Sequence, residues 1–536
     1  MEAFAALLDR LVVTPQRNGK LQLIADYCAA APDPDRGYAI AAITRDLDIP
    51  SVKPAMLRAL VTERVDPVLF ELSYNYVGDL AETISLVWPG TRGANRTPPL
   101  SEVVENLQAA SRQDAPTLVA HYLDTLAPNE RWALIKLATG GLRIGVSARL
   151  AKTALAKFGK VDVTEIEELW HGLAPPYEDL FAWLDGEAEK PVSAALAPFR
   201  PVMLAHPIDE EKDLAGIDPD IFAAEWKWDG IRVQAVSEGD GDVRTRRLYS
   251  RTGEDIGAAF PDILASMEFE ASIDGELLVF DPEADNFSVR PFGDLQQRLN
   301  RKTVSKKLLE SHPAFIRAYD VLTLDGEDLR ALSFMERRAR LEQFIEDVKP
   351  ERFDLSPLVD FDDIDALTAA RAAPPSDAVE GLMLKRKAAP YVPGRPKGEW
   401  WKWKRDPFLI DAVMMYAQRG HGKRSSFYSD YTFGVWRDDE IVPVGKAYFG
   451  FTDEELKRLD KFVRDNTVDR FGPVRQVAFG DGEGLVLEVA FEGLNRSTRH
   501  KSGVAMRFPR IHRIRWDKPA AEADRLETLE AMLPAK

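Results

Sequence analysis

A lysine lies inside an apolar, strand-like stretch of the sequence, AAEWKWDGIRVQAV, at residues 223–236. This lysine, Lys227, is followed by Asp229-Gly230 and then by Arg232. A lysine amine becomes a nucleophile when burial or nearby cations favour its neutral form. The stretch therefore predicts a nucleophilic lysine with a carboxylate beside it. The pattern fixes only three positions, so a lysine whose stem packs at a strand edge is the alternative for this stretch alone.

Further stretches rich in charged and aromatic residues follow Lys227 along the chain. In order they are LYSRTGEDI (248–256), IDGELLVF (273–280), YDVLTLDGEDLR (319–330), EGLMLKRK (380–387), WWKWKRDP (400–407) and RFPRIHRIRWDK (507–518). Lys402 and Lys404 are two residues apart on a predicted strand, so their side chains share a face. Glu276 and Glu380, on different predicted strands, offer the oxygen ligands that Mg²⁺ binds. Each residue alone is better explained as a surface or core residue, and only the ordered set favours a shared site.

In this order the stretches resemble the motifs of the ATP-dependent DNA ligases, a family of covalent nucleotidyltransferases. The resemblance runs from about Arg200 to Lys518 and implies that Lys227 is the catalytic, adenylated residue. It also implies that Glu276 and Glu380 hold a metal ion, Mg²⁺ or Mn²⁺. The nucleotide contacts that it implies are Glu225 at the adenine amino group, Tyr319 stacked on adenine, Arg232, Arg251 and Arg395 on the nucleotide, Glu276 near the ribose, Lys402 and Lys404 on the α-phosphate, and Arg510, Arg513 and Lys518 over the leaving pyrophosphate.

Two basic islands stand out in an acidic chain whose formal net charge is −17. Residues 385–405 and residues 495–518 each hold eight lysines and arginines and one acidic residue. Net charge is a sum whereas binding follows local patches, so the acidic total does not exclude a polyanionic partner. A solvated surface explains one such run equally well, but two runs interleaved with aromatic residues favour a binding role.

Length and composition set the broad class. At 536 residues the chain should hold about three or four domains. The single cysteine, Cys28, excludes a disulfide framework and a zinc site built from several thiolates. The N-terminus lacks the features of a secretory signal, and no apolar run reaches the roughly 18 residues that a membrane span needs. We therefore expect a cytoplasmic, nucleoid-associated protein.

The hydrophobic pattern changes along the chain and predicts a multidomain protein. Helical periodicity dominates up to about residue 185, and strands alternate with helical patches such as 333–347 further on. The predicted strands of this middle part are 222–236, 243–250, 272–280, 314–324 and 379–387. The predicted domains are an all-α DNA-binding domain (1–190), a linker (191–207), an α/β (α+β) nucleotidyltransferase domain (208–405), an all-β OB-fold barrel (406–518) and a C-terminal helical tail (519–536).

The helical region carries a second, looser resemblance. The stretches YVGDLAETISLV (76–87) and LIKLATGGLRIGV (134–146) are similar to the helical DNA-binding domain of replicative-type archaeal and eukaryotic ligases, with Gly78, Asp79, Arg143 and Gly145 as anchors. Such a domain implies contacts to the DNA backbone without base readout. The partner implied is nicked double-stranded DNA, encircled by a monomer. A plain helical bundle that only packs is the alternative.

The resemblance implies an enzyme that uses ATP and Mg²⁺ to seal 3′-hydroxyl/5′-phosphate nicks. The intermediates would be a lysyl-AMP enzyme and a DNA-adenylate, in repair, recombination or replication, as in stand-alone bacterial ligases. One alternative is an RNA ligase or a GTP-dependent capping-type nucleotidyltransferase, against which the helical region argues. Another is a catalytically inactive nick-binding scaffold, against which the filled motif positions argue. The NAD-dependent branch would need a four-cysteine zinc site.

Overall fold

The computed structural model describes residues 1–90, 96–191, 196–240, 243–281, 288–299, 301, 303–420, 427–480, 483–497 and 500–533. By packing, the chain separates into two compact units. The first joins Met1–Ile166, Leu173–Val192 and Pro407–Ala535, and the second contains Glu167–Gly172 and Ser193–Asp406. The sequence-derived domain boundaries stay predictions.

The N-terminal region is helical, as predicted. Its helices are α1 (Glu2–Val13), α2 (Arg17–Ala30), α3 (Asp35–Thr44), α4 (Pro54–Thr62), α5 (Pro67–Val77), α6 (Leu80–Val87), α7 (Leu100–Ala109), α8 (Ala115–Thr125), α9 (Pro128–Ala138), α10 (Ala148–Gly159), α11 (Val163–Leu169) and α12 (Glu178–Leu184). Several helices have an N-cap residue whose side chain accepts hydrogen bonds from backbone N–H groups of the first turn: Asp66 for α5, Asp79 for α6 and Ser147 for α10. Within the described residues, no helix is long and apolar enough to cross a membrane.

The second unit is built from two sheets with helices between the strands. Its elements are β1 (His206–Pro207), α13 (Glu210–Asp213), β2 (Phe222–Trp228), β3 (Ile231–Asp240), β4 (Val243–Ser250), α14 (Pro261–Ser266), β5 (Ala271–Val279), α15 (Phe292–Gln296), α16 (Lys306–Ser311), β6 (Ala314–Leu324), β7 (Glu327–Asp328), α17 (Phe334–Val348), β8 (Phe353–Leu355), β9 (Leu358–Val359), α18 (Ile364–Ala372), β10 (Val379–Arg386) and β11 (Trp400–Lys404). One sheet has the order β1-β11-β10-β2-β9, and the other has β4-β3-β5-β6-β7 with β8 beside β6.

The single strand predicted over 222–236 is two strands, β2 and β3, which belong to different sheets. They separate at Asp229-Gly230, where the chain crosses close to β5. A Cβ atom on Gly230 would lie 2.5 Å from the carbonyl oxygen of Leu277. Only glycine fits this approach, so the Asp-Gly step is a crossing between sheets and brings β2 and β3 to one site.

The predicted linker, 191–207, falls partly on residues 192–195, which lie outside the described residues. The described remainder packs within the second unit: Phe199 and Met203 are buried, and Leu204 N donates to Gly394 O at 2.6 Å. This packing was not predicted from the sequence, because the segment is rich in Pro and Ala and its apolar residues follow neither a helical nor a strand period.

The C-terminal region is rich in β-structure, as predicted. Its elements are β12 (Phe408–Arg419), β13 (Tyr428–Arg437), β14 (Glu440–Ala447), α19 (Asp453–Asp465), β15 (Thr467–Phe471), β16 (Val474–Val477), β17 (Val486–Phe491), β18 (Gly493–Arg496), β19 (Val504–Arg507), β20 (Arg510–Arg515) and α20 (Leu526–Ala531). The helix α19 is absent from the sequence prediction, although Thr452 and Glu455 form a capping box at its start. The predicted C-terminal helix is shorter than expected and begins at Leu526.

Candidate active site

Three lysines lie on one face of the β1-β11-β10-β2-β9 sheet. Lys227 on β2 is directly opposite Gly381 on β10, and Gly381 is directly opposite Lys404 on β11. Directly opposed residues of neighbouring strands point to the same face. Lys402, two residues before Lys404, shares that face because side chains alternate along a strand. The strand register thus gathers the three lysines predicted to act together.

A β-bulge brings Glu380 to the same place. The register of β2 and β10 shifts between Val379 and Gly381, so Glu380 is the extra residue of β10. Lys227 Nζ donates to Glu380 Oε1, and Lys404 Nζ lies 3.0 Å from Glu380 Oε2. Gly381 has φ +149°, and a Cβ atom there would lie 2.2 Å from the carbonyl oxygen of Trp403. The glycine of the EGLMLKRK stretch is therefore required by geometry, and the bulge brings the glutamate before it to Lys227.

The two predicted metal ligands have opposite pKa shifts. Burial alone would raise the pKa of Glu380, but the charges and hydrogen bonds of Lys227 and Lys404 outweigh burial and lower it. Burial raises the pKa of Glu276 to about 8, Glu380 adds to that rise, and Lys227 opposes it. A divalent cation bound between these two carboxylates would offset the repulsion between their charges.

Among the described residues, no group of three or more His, Cys, Asp or Glu could hold a metal ion. Glu276 and Glu380 are nonetheless a suitable pair, because Mg²⁺ is commonly bound by one or two carboxylates together with substrate phosphates. The structure fits a cation that arrives with a nucleotide better than a cation in a closed protein cage.

Lys402 is surrounded by positive charge. Partial burial lowers the pKa of Lys402, and the charges of Lys227, Arg395, Lys404 and Arg251 lower it further. No acidic side chain among the described residues forms an ion pair with Lys402. Convergent cations of this kind favour a polyphosphate, whose transfer chemistry depends mainly on charge neutralisation. The two predicted nucleotide contacts outside the strands, Arg251 and Arg395, thus belong to the same electrostatic neighbourhood.

Arg232, on β3, is held by protein groups. Its guanidinium donates to Asp274 Oδ2 at 2.7 Å, to the Tyr391 hydroxyl at 3.1 Å and to the carbonyl oxygen of Met203. The guanidinium carbon lies 5.9 Å from the centre of the Tyr319 ring, which is half-buried. Arg232 therefore borders the space beside Tyr319, with most of its donors already satisfied. Sequence reasoning missed Asp274, whose only signal is its place beside Glu276 in the IDGELLVF stretch.

Glu225 shares the face of Lys227, two residues away, but is only 2% exposed. Its Oε1 accepts from Arg338 Nη1 at 3.1 Å, and its Oε2 lies 2.5 Å from Lys385 Nζ. The sequence does not single out either cation, although Lys385 is part of the EGLMLKRK stretch. Glu225 is thus more deeply buried and more fully paired than a simple ligand contact requires.

The cations predicted to cover pyrophosphate belong to the other unit, on and just after β20. Each is paired with an acid of the C-terminal region. Arg510 Nη1 donates to Glu492 Oε1 at 2.9 Å, Arg513 Nη2 to Glu488 Oε2 at 3.4 Å, and Lys518 Nζ to Asp411 Oδ2 at 2.8 Å. In the structure these three cations therefore form ion pairs within the β-rich C-terminal region.

The helical region contains a second charged feature, which we call the arginine cavity. It is an open depression of about 720 Å³ lined by Arg17, Arg45, Arg143 and Arg149, among others, at the N-terminus of α10. Arg17, Arg45 and Arg143 are exposed and form no ion pair with any described residue. Of these, the sequence singles out Arg143 alone, since the others come from α2 and from the end of α3.

The other predicted anchors of the helical region have structural roles. Gly78 ends α5 with φ +76°, and Asp79 caps α6. Asp79 also pairs with Lys136 Nζ at 2.6 Å. Gly145 has φ +64°, and its carbonyl oxygen accepts from Lys20 Nζ at 3.0 Å. Of these residues, only Gly145 lines the arginine cavity.

Comparisons with known proteins give a consistent result. The family model described as "ATP dependent DNA ligase domain" matches residues 202–404, and the one described as "ATP dependent DNA ligase C terminal region" matches residues 424–518. Together they cover more than half of the chain. A "Probable DNA ligase" from Koribacter versatilis is 29% identical over 569 residues, which cover 99% of this chain and 96% of the relative.

An archaeal relative and a solved structure extend the comparison. A "DNA ligase" from Natronomonas pharaonis is 31% identical over 419 residues, covering 76% of this chain and 72% of the relative. The solved structure called Pmar-Lig_PreS3 aligns with a TM-score of 0.59 over 96% of this chain and 99% of its own, at 15% identity. At that identity the likeness concerns the fold alone.

Proposed function

The chain belongs to the ATP-dependent DNA ligases, and from this membership we propose that Lys227 is the residue that becomes covalently joined to AMP. The observation that carries the proposal is the shared carboxylate: Lys227 and Lys404 contact the two oxygens of Glu380 on one sheet face. Neither an RNA ligase nor a capping-type enzyme nor an inactive scaffold is favoured by the comparisons.

In the first step the neutral Lys227 amine attacks the α-phosphorus of ATP. The phosphorus–nitrogen bond forms, the bond to the β-phosphate oxygen breaks, and pyrophosphate leaves with its electron pair, while the lysine nitrogen releases one proton to water. Lys402 and Lys404 hold the α-phosphate oxygens, where charge concentrates. Their common face with Lys227 supports this role, because all three reach the same phosphate from one side.

We propose Mg²⁺ as the divalent metal that the family requires, held by Glu276 and Glu380. When bound, it neutralises charge on phosphate oxygens. Tyr319 supplies a π face for the base, and Arg251, Arg232 and Arg395 face the nucleotide. The C-terminal region would contribute Arg510, Arg513 and Lys518 to the leaving pyrophosphate, which requires them to exchange their present acidic partners.

We propose that the arginine cavity binds backbone phosphates of nicked duplex DNA. Arg17, Arg45 and Arg143 are exposed cations available for phosphate contacts, and the N-terminus of α10 adds backbone N–H groups. Such contacts ignore base sequence, as an enzyme that seals nicks in any sequence requires. We further propose that the protein acts as a monomer at the nucleoid, which sedimentation with and without a nicked duplex would test.

Covalent labelling tests the central proposal. The purified chain is incubated with α-labelled ATP, GTP or NAD and Mg²⁺, denatured, and assayed for retained label. We expect label from ATP alone, and its loss to background in Lys227→Ala. A matched control is Lys387→Ala, since Lys387 lies on the same basic island but donates to the carbonyl oxygen of Pro219 at 2.8 Å. Label that persists in Lys227→Ala, or that comes from GTP, would refute the assignment.

A further inference from the structure

A buried lysine, Lys385, lies beside two of the residues assigned to adenine. Its side chain is 1% exposed, and its Nζ is 2.5 Å from Glu225 Oε2 and 4.6 Å from the centre of the Tyr319 ring. Phe334 and Trp400 also face the ammonium, with ring centres 4.7 Å and 4.6 Å away. Lysine is almost never fully buried without a partner, so the position calls for a reason.

Lys385 and Arg338 are the two cations in contact with the Glu225 carboxylate. Arg338 is shared, because its Nε also donates to Glu342 at 2.6 Å. Lys385 has no acid within ion-pair distance other than Glu225 among the described residues. Burial lowers the pKa of Lys385, and the facing Glu225 carboxylate opposes that shift. A buried carboxyl group stays ionised only when such partners offset its lost hydration.

Three buried donor atoms on neighbouring side chains have no hydrogen-bond partner in the described part of the chain. They are Lys385 Nζ, whose contact with Glu225 is an ion pair without regular hydrogen-bond alignment, Trp400 Nε1 and Arg232 Nε. Orphaned buried donors in a native structure call for an acceptor, often from a ligand. A purine offers ring-nitrogen acceptors and, in adenine, an amino donor beside them. The donors and Glu225 together match that mixture.

We propose that Lys385 is a positioning residue for base selection, which holds the Glu225 carboxylate in place as a hydrogen-bond acceptor. An ionised carboxylate accepts hydrogen bonds but cannot donate them. It therefore favours a purine with a 6-amino group and opposes one with a 6-oxo group, whose oxygen it would repel. Without the ammonium, the Glu225 oxygens lose the contact that holds them in place, so the preference for a 6-amino group over a 6-oxo group weakens. The inference rests on the proposed function, because it requires ATP to react at Lys227.

The test compares covalent labelling of the full chain by α-labelled ATP and GTP with Mg²⁺. The quantity is the ratio of the two second-order labelling rate constants, so a loss of folded protein cancels. We expect Lys385→Met to lower the ATP-to-GTP ratio by about ten- to a hundredfold, the difference that a hydrogen bond to a charged group makes. Lys385→Arg keeps the cation and should keep the ratio. Lys387→Met is the matched control and should also keep it.

A double-mutant cycle separates this role from simple packing. Glu225→Gln makes the side chain neutral and able to donate, so it should lower the ratio by itself. If Lys385 acts through Glu225, the double variant Glu225→Gln/Lys385→Met lowers the ratio no further than Glu225→Gln alone. Removing both charges of a buried pair is also often tolerated, which protects the test against unfolding.

Three outcomes would overturn the inference. A folded Lys385→Met variant with the wild-type ratio would show that the lysine only packs. A double variant whose loss is the product of the single losses would show that Lys385 acts independently of Glu225. A wild-type chain labelled by neither nucleotide would refute the proposed function and this inference with it, and is distinguishable because the first two outcomes require a labelled wild type.

Discussion

The cations around Lys227 and the arginines of the cavity in the helical region differ in burial and in pairing. The side chains of Lys227 and Lys404 are 21% and 39% exposed and share one carboxylate. Arg45 and Arg143 are exposed and have no acidic partner among the described residues. Paired, half-buried charges hold defined positions, whereas exposed cations act through solvent and are screened by salt. The first arrangement suits bond-making at one atom, and the second suits attachment to a long polyanion.

The largest expected effect is the loss of chemistry without loss of DNA binding. Glu380→Ala removes a proposed metal ligand and the partner of Lys227, so lysyl-AMP formation should slow by at least about a hundredfold. Affinity for a nicked duplex should stay within twofold. Glu351→Ala, whose side chain is 80% exposed, is the control for removing one negative charge from the same unit. A Glu380→Ala chain that labels at the wild-type rate would contradict the proposed site.

The same two regions show what the sequence can and cannot predict. The order of charged stretches predicted Lys227, Lys402 and Lys404, and the strand register explains their common face. The bulge at Glu380 could not be predicted, because the alternation of β10 places Glu380 away from Lys227 unless one residue is extra. The crossing at Gly230 was also missed, since the apolar run continues through it. Local patterns specify strands, but the approach of two strands depends on distant residues.

The arginine cavity was predicted least completely, for the same reason. Its members come from separate helices and from the segments that follow or precede them, and Arg17 and Arg45 have no motif around them that marks them as functional. Arg143 was found only because the GLRIGV stretch resembles a known helical domain. Lys385 was overlooked because a lysine in a basic island is normally solvated, and only the surrounding rings show that it is buried. Burial of charge is a tertiary property that composition does not report.

A smaller effect should be confined to DNA binding. Each arginine that contacts a phosphate contributes about −0.9 to the slope of log affinity against log salt, or about fivefold in affinity at 0.15 M salt. Arg45→Ala/Arg143→Ala should therefore bind a nicked duplex roughly twenty-five-fold more weakly, with lysyl-AMP formation unchanged. Arg112→Ala, an exposed arginine outside the cavity, is the matched control. An unchanged salt slope in the double variant would mean that the cavity does not bind phosphate.

The smallest expected effect is a pH dependence of stability that only the site around Lys227 should show. In the ligand-free and metal-free chain, the pKa of Glu276 is raised from 4.5 to about 8, chiefly by burial. Between these values the folded protein holds a proton that the unfolded chain has released. Because the unfolded state then binds fewer protons, the free energy of unfolding falls as pH rises through this window. The Gln side chain of Glu276→Gln does not titrate, so the free energy of unfolding of this variant should not show that decrease.

The measurement is the unfolding midpoint of wild type and Glu276→Gln from pH 5 to pH 8.5, without nucleotide or metal. We expect the unfolding midpoint of Glu276→Gln, relative to that of wild type, to rise by a few degrees as pH rises. Glu380→Gln is a control whose own titration lies below this window: the pKa of Glu380 is lowered from 4.5, so its contribution to stability is present throughout the measured range and is lost only at lower pH. The arginine variants keep Glu276, and the arginines they lack do not titrate in this range, so their midpoints should follow wild type at a constant offset. Parallel curves for Glu276→Gln and wild type would mean that Glu276 is already ionised at neutral pH, and the contrast between the two regions would then rest on geometry alone.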